Sequence, residues 1–140
     1  PIINSYKRLK SGFHAPTELF WSLTDREAPI RVTKGSEGQI RIEWLLPDGA
    51  ANPYMLIAFA VAAGLSGIRE KMVPLKAGEK AGALPGTLKE ALQAFGQDTF
   101  LQKICGNRYA DVYIREKSKE WDLYTKEVTD WELREYLHRF

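Results

Sequence analysis

Gln39-Ile-Arg-Ile-Glu-Trp-Leu-Leu-Pro-Asp-Gly-Ala-Ala-Asn-Pro-Tyr54 is the stretch that decides the fold. Ile40, Ile42, Trp44 and Leu46 alternate with Arg41, Glu43 and Leu45, and this period of two predicts a half-buried strand. The first set is expected to face a core. Arg41, Glu43 and Leu45 then share the opposite face. Pro47-Asp48-Gly49 signals a turn. Asn52 is a good helix N-cap, and Pro53 suits the first helical position. The run 55–65 is apolar on every side, with no charge before Arg69. Such a helix is expected to be buried. A charged strand face is thus tied by one tight turn to a deep helix.

Working outward, residues 1–16 read as loop, with a compact basic run at Tyr6-Lys7-Arg8-Leu9-Lys10. Residues 17–23 alternate and predict a strand, broken at Asp25-Arg26-Glu27. A second short strand is expected over 28–32, with Ile30 and Val32 on one face and Arg31 on the other. Lys34-Gly35-Ser36-Glu37-Gly38 turns into the third strand. The links are short, so antiparallel pairing is the simplest topology. After the apolar helix, expected over about 53–71, residues 73–85 carry Pro74, Gly78, Gly82 and Pro85 and read as loop. Thr87-Leu-Lys-Glu90 is a capping-box pattern. Leu88, Ala91, Leu92 and Phe95 then form one helical stripe. Asp98, Asn107 and Asp130 are candidate caps for three further helices, the last with Leu133, Tyr136, Leu137 and Phe140 apolar. The fold class is α+β: a small antiparallel sheet of about three strands, then a mostly helical carboxy-terminal half. No internal repeat, low-complexity segment or domain boundary is visible.

The chain has 140 residues, enough for one core. With 44% apolar and 27% charged residues, its composition is that of a globular protein. Basic and acidic side chains number 7 and 6 over residues 1–50, 6 and 4 over 51–106, and 7 and 8 over 107–140. That even spread argues against nucleic acid as a partner. Cys105 is the single cysteine, which excludes an intramolecular disulfide and fits a reducing compartment. A lone Cys at an apolar helix end reads as packing. His14 and His138 lie far apart, which argues against a histidine zinc site. Lys7, Arg8 and Lys10 precede no apolar run, so no signal peptide is expected. The run 55–65 is too short for a bilayer, which takes ~20 residues. A cytoplasmic protein with no membrane contact is expected.

Arg-Ile-Glu, Pro-Asp and Ala-Asn-Pro-Tyr within the opening stretch resemble a signature of the glutamine synthetase superfamily. Pro1-Ile-Ile-Asn-Ser-Tyr-Lys-Arg-Leu9 resembles a second. Ala15-Pro16, Arg26 and Arg31 follow at the family's spacing, and Gly64-Leu-Ser-Gly-Ile68 and Val128-Thr-Asp-Trp-Glu132 are further matches. The resemblance covers the whole chain, 1–140, as a carboxy-terminal part of a catalytic domain. It implies ATP-dependent ligation of ammonia to glutamate through a γ-glutamyl phosphate, with Mg2+ or Mn2+, in a ring-shaped homo-oligomer. By position, Arg8 is similar to the arginine on the substrate carboxylate. Arg26 is similar to the catalytic arginine aimed at the transferred phosphoryl group. Arg31 and Arg41 resemble those gripping nucleotide phosphates, and Glu43 resembles a metal ligand. Arginine suits such work because its planar fork binds two oxygens at once.

Leu45 departs from the pattern. Members carry a second arginine there, and leucine has neither charge nor donor. The loop before Arg41 is short, and Lys34 receives no role. The family's amino-terminal β domain, its other metal-binding glutamates and its Gly- and His-containing nucleotide segment have no counterpart here. His14 does not replace that segment, since it lies between the Arg8 and Ala15-Pro16 matches. A piece of a longer enzyme is the expectation, with a natural short homologue as the alternative. Two further readings stand beside the ligase: a γ-glutamyl-amine ligase using another amine, and a non-catalytic assembly module.

Overall fold

The computed structural model describes residues 1–12, 14–36 and 38–139. Helix α1 (Ile3–Lys7) opens the chain. Strands β1 (Trp21–Ser22), β2 (Ile30–Lys34) and β3 (Ile40–Trp44) follow, then helices α2 (Pro53–Arg69), α3 (Leu88–Gln97), α4 (Thr99–Cys105), α5 (Asn107–Tyr124) and α6 (Asp130–Tyr136). The α+β order expected from the sequence holds.

The sheet has the order β1-β2-β3 and is mixed. β2 and β3 are antiparallel, with Arg31 opposite Glu43 and Thr33 opposite Arg41. β1 runs parallel to β2, pairing Trp21 with Ile30, which corrects the all-antiparallel expectation. Side chains shape the link that allows this. Ser22 Oγ accepts from the amides of Thr24 and Asp25 at 3.3 and 3.1 Å, and Asp25 Oδ1 accepts from Glu27 N at 2.8 Å. These turns loop the chain round so that it re-enters in its original direction.

The expected strand over 17–23 shrinks to Trp21–Ser22 because most of its hydrogen bonds go elsewhere. Leu19 N donates to Gly82 O at 2.7 Å, Ala81 N to Leu19 O at 2.8 Å and Leu84 N to Thr17 O at 2.9 Å. The loop 73–85 is therefore stitched antiparallel to 17–21, and Trp21 Nε1 donates to Leu75 O at 2.7 Å. A pairing across so much sequence has no local signal.

Several local expectations shift. The second strand begins at Ile30 rather than at 28. Residues 3–7 form α1, too short for helical periodicity to reveal; Ser5 Oγ accepts from Ile2 N at 2.9 Å. Asn52 caps α2 as expected, accepting from Tyr54 N and Met55 N, and Asp98 caps α4. Asn107 is instead the first residue of α5, after Gly106 at φ 86°, a conformation that favours glycine. Thr129, not Asp130, caps α6 in a capping box with Glu132. Cys105 is half-buried at the end of α4. Glu37 and Phe140, placed by the sequence in a turn and in an apolar stripe, lie outside the described residues.

The core sits among the helices. Leu88 and Leu92 of α3 are buried, as is Ala110 of α5, and Ala28 is buried before β2. Phe95 bridges α2 and α5 through edge-on contacts with Phe59 and Tyr113, at ring separations of 6.4 and 6.0 Å. Such pairs add roughly 0.5–1.5 kcal/mol each beyond burial. Two burial expectations fail. α2 has no buried residue, and Tyr54, Ile57, Val61, Leu65 and Ile68 form an exposed stripe along it. On β3, Ile40 and Ile42 are 71% and 73% exposed. Apolar sequence supplies the demand for burial, but no described element packs against these two faces.

Candidate functional site

The turn after β3 builds the site's floor. Leu45 N donates to Pro29 O at 2.8 Å, extending the β2–β3 ladder past Trp44. Leu45 thereby keeps the side of the sheet that carries Arg41 and Glu43. Asp48 Oδ1 accepts from Ala50 N at 3.0 Å. The Ser5 hydroxyl, bonded to its side chain, holds the Asp48 carboxyl below the usual carboxylate range; burial opposes this, and the Ala50 amide and nearby Arg8 add smaller contributions in the same direction as Ser5. Arg8, at the end of α1, donates through Nη2 to Leu46 O. The amino-terminal basic run is thus clamped against the strand-to-helix turn.

A cavity of about 690 Å³ opens beside this clamp, lined by Lys7, Arg8, Lys10, His14, Ala15, Pro16, Arg26 and Leu45. Arg8 and Arg26, distant in sequence, meet here on one wall-to-floor surface with Leu45. The cavity has four basic side chains and no carboxylate among its described lining residues. It can neutralise an anion that carries several negative oxygens, and Leu45, Ala15 and Pro16 leave it one apolar side.

Arg31 and Glu43 form a second group on the same sheet. They face each other in register, and Arg31 Nε and Nη2 lie 2.8 and 2.5 Å from the same oxygen, Glu43 Oε2. The other carboxylate oxygen stays outside the pair. Both side chains are partly exposed, at 25% and 31%, so the pair is reachable by a ligand. Arg41 is exposed on that face and makes no ion pair among the described residues. The expected five residues therefore fall into two neighbouring sets, Arg8 with Arg26, and Arg31 with Glu43 and Arg41.

For a metal ion, the fit is partial. Among the described residues no three His, Cys, Asp or Glu side chains stand close enough to hold one. No reaction step can be derived through a metal from these residues alone. Sequence reasoning missed three contributors to the cavity, Lys7, Lys10 and His14. The basic run at 6–10 was the available signal for the first two. Nothing local marked His14, whose Nδ1 lies 3.4 Å from Glu27 Oε1.

A second, apolar cavity of about 390 Å³ lies among the helices, with Tyr6, Phe59, Leu92, Phe95 and Tyr113 in its walls. Burial pushes the Tyr6 and Tyr113 hydroxyls up to about 12. Among the described residues no helix is long and apolar enough to cross a membrane.

The chain is similar to known proteins over its whole length. It is 36% identical over 151 aligned positions to a glutamine synthetase of Thermus thermophilus, covering 98% of this chain and 34% of that protein. It is 38% identical to a glutamine synthetase of Staphylococcus aureus, covering 100% of this chain and 34% of that protein. The chain thus spans about a third of the length of the relatives it matches. Among solved structures, the Plasmodium falciparum glutamine synthetase superposes with a TM-score of 0.85 at 26% identity, over 96% of this chain and 37% of the other. GmaS in complex with ADP superposes with a TM-score of 0.80 at 32% identity, over 98% of this chain and 34% of the other. Residues 1–136 match the family described as glutamine synthetase, catalytic domain. The family match over residues 1–136 and the relatives at 36% and 38% identity show that the chain belongs to the glutamine synthetase family.

Proposed function

We propose that this chain is a carboxy-terminal part of a glutamine synthetase catalytic domain, and that the complete protein is a cytoplasmic homo-oligomer that joins ammonia to the γ-carboxylate of glutamate using ATP. The observation that carries this reading is the meeting of Arg8 and Arg26 in one cavity, with Arg31, Glu43 and Arg41 beside it on the same sheet. The GmaS relative is solved with ADP, which supports a nucleotide as ligand.

In this reading Arg8 holds the substrate carboxylate. Arg26 faces the phosphoryl group in transfer and offsets the charge that develops there, a role worth roughly 100- to 1000-fold for a single donor. Arg31 and Arg41 bind the nucleotide phosphates. The Glu43 oxygen left outside its pair with Arg31 is one ligand of Mg2+ or Mn2+. Such a metal, when bound, neutralises phosphate oxygens, and its remaining ligands come from the rest of the complete protein.

The test is phosphate release by the complete protein with ATP, magnesium and glutamate. Wild type should need an amine for turnover. Arg26→Ala should lower kcat by about 100-fold, and Arg8→Ala should raise the KM for glutamate. Unchanged kinetics in both variants would sink the assignment.

A further inference from the structure

The strand face beside the basic cavity holds one unexplained atom. Among the described residues, Thr33 Oγ1 is the one side-chain oxygen or nitrogen that is shielded from solvent and has no hydrogen-bond partner. Buried polar groups are normally paired, because an unmade hydrogen bond costs stability. Thr33 pairs in register with Arg41, and Arg31 with Glu43. Alternation puts all four on one face of the sheet. Thr33 therefore stands beside two arginines, Arg31 along its own strand and Arg41 across from it. Arg31 turns Nε and Nη2 to Glu43 Oε2, and Arg41 is exposed. What this corner of the face lacks is an acceptor. Arginines only donate, and a hydroxyl has one proton to give. An anionic oxygen would accept from all three.

A ligand can reach this hydroxyl. Thr33 is half-buried as a residue, although its oxygen is covered. Threonine carries a hydroxyl and a methyl on one carbon, and turning χ1 to another staggered well moves the hydroxyl to a new direction. We propose that Thr33 is a further nucleotide-binding residue, whose hydroxyl donates to a phosphate oxygen held by Arg31 and Arg41. The inference rests on the ligase reading, which gives a role to the two arginines and none to Thr33. A phosphate oxygen has lone pairs enough to accept from a guanidinium and a hydroxyl together, and its charge strengthens both bonds. The unpaired hydroxyl favours the bound state, since it gains its partner when the nucleotide arrives.

The experiment uses the complete protein and two variants, with ATP and magnesium as the probe. Thr33→Val keeps the branched shape and removes the hydroxyl. Thr33→Ser keeps the hydroxyl and removes the methyl. Three quantities are read: the melting temperature without ligand, its rise with ATP and magnesium, and the KM values for ATP and glutamate. Without ligand, Thr33→Val should melt at or above the wild-type temperature, because an unpaired polar group has left a covered position. Its KM for ATP should rise by about tenfold, the loss expected for one hydrogen bond to a charged group. The rise in melting temperature with ATP should shrink with it, while the KM for glutamate stays unchanged. Thr33→Ser should keep the KM for ATP near wild type. A Thr33→Val protein that binds ATP like wild type overturns the proposal. So does one that melts lower without ligand, because the hydroxyl then has its partner inside the complete protein. If wild type shows no rise in melting temperature with ATP and magnesium, the ligase reading itself fails and the role of Thr33 fails with it. That result is distinct because it appears before any substitution is made.

Discussion

Leu45 shows how much one side chain can decide. It lines the cavity that holds Arg8 and Arg26, where the family pattern carries another arginine. A charge-assisted hydrogen bond is worth roughly 1.5–3 kcal/mol, or about tenfold to a hundredfold in the affected constant. In the complete protein, Leu45→Arg should raise kcat/KM for glutamate within that range. Leu46→Arg is the control, since alternation places it on the opposite side and its carbonyl already receives Arg8. Leu46 is half-buried, so an unpaired charge there should lower the melting temperature. Equal destabilisation by both variants would contradict the placement of Leu45. A well-folded Leu45→Arg with no gain for glutamate would mean that the leucine serves another substrate, as in a γ-glutamyl-amine ligase.

Helix α2 has two apolar faces with different fates. Met55, Leu56 and Phe59 turn toward the small apolar cavity, while Ile57, Val61 and Leu65 point outward and are exposed. Its start is strongly marked: Asn52 Oδ1 accepts at 3.0 and 3.3 Å from the first free amides. Asn52→Ala should therefore cost about 1 kcal/mol, measured by denaturant unfolding. The turn and helix start were legible because capping and proline chemistry act over three or four residues. The inner and outer faces of α2 were not legible, because a helix that is apolar all round carries no periodicity to tell them apart.

At the scale of the whole molecule, these 140 residues leave large apolar faces uncovered, on β3 and along α2. Exposed patches of this kind drive association. The isolated chain should self-associate, and Ile57→Glu together with Val61→Glu should reduce that association in light scattering. A monodisperse monomer with a sharp, reversible melt would overturn this expectation. The isolated chain should also fail to make glutamine, since among the described residues no three His, Cys, Asp or Glu side chains stand close enough to hold the metal that such phosphoryl transfer uses. Ammonia-dependent phosphate release by the 140 residues alone would contradict that.

By itself the sequence determined what short-range chemistry controls. The alternation through Ile40–Trp44, the cap at Asn52, the stripe of α3 and the α+β order all follow from interactions between near neighbours. The family signatures, with Arg8, Arg26, Arg31, Arg41 and Glu43 as candidates, were legible for a similar reason, since each is a short run at a set spacing. The tertiary structure decided what depends on distant partners. It gave β1 a parallel neighbour, because the antiparallel partner of 17–21 is the loop 73–85, remote in sequence. It brought Arg8, Arg26, His14 and Leu45 round one cavity and paired Arg31 with Glu43 through a shared register. Burial also belongs to this second class. Hydrophobicity is a property of a residue, but burial needs a second surface, and only the folded chain shows that Ile40, Ile42 and the outer face of α2 have none among the described residues.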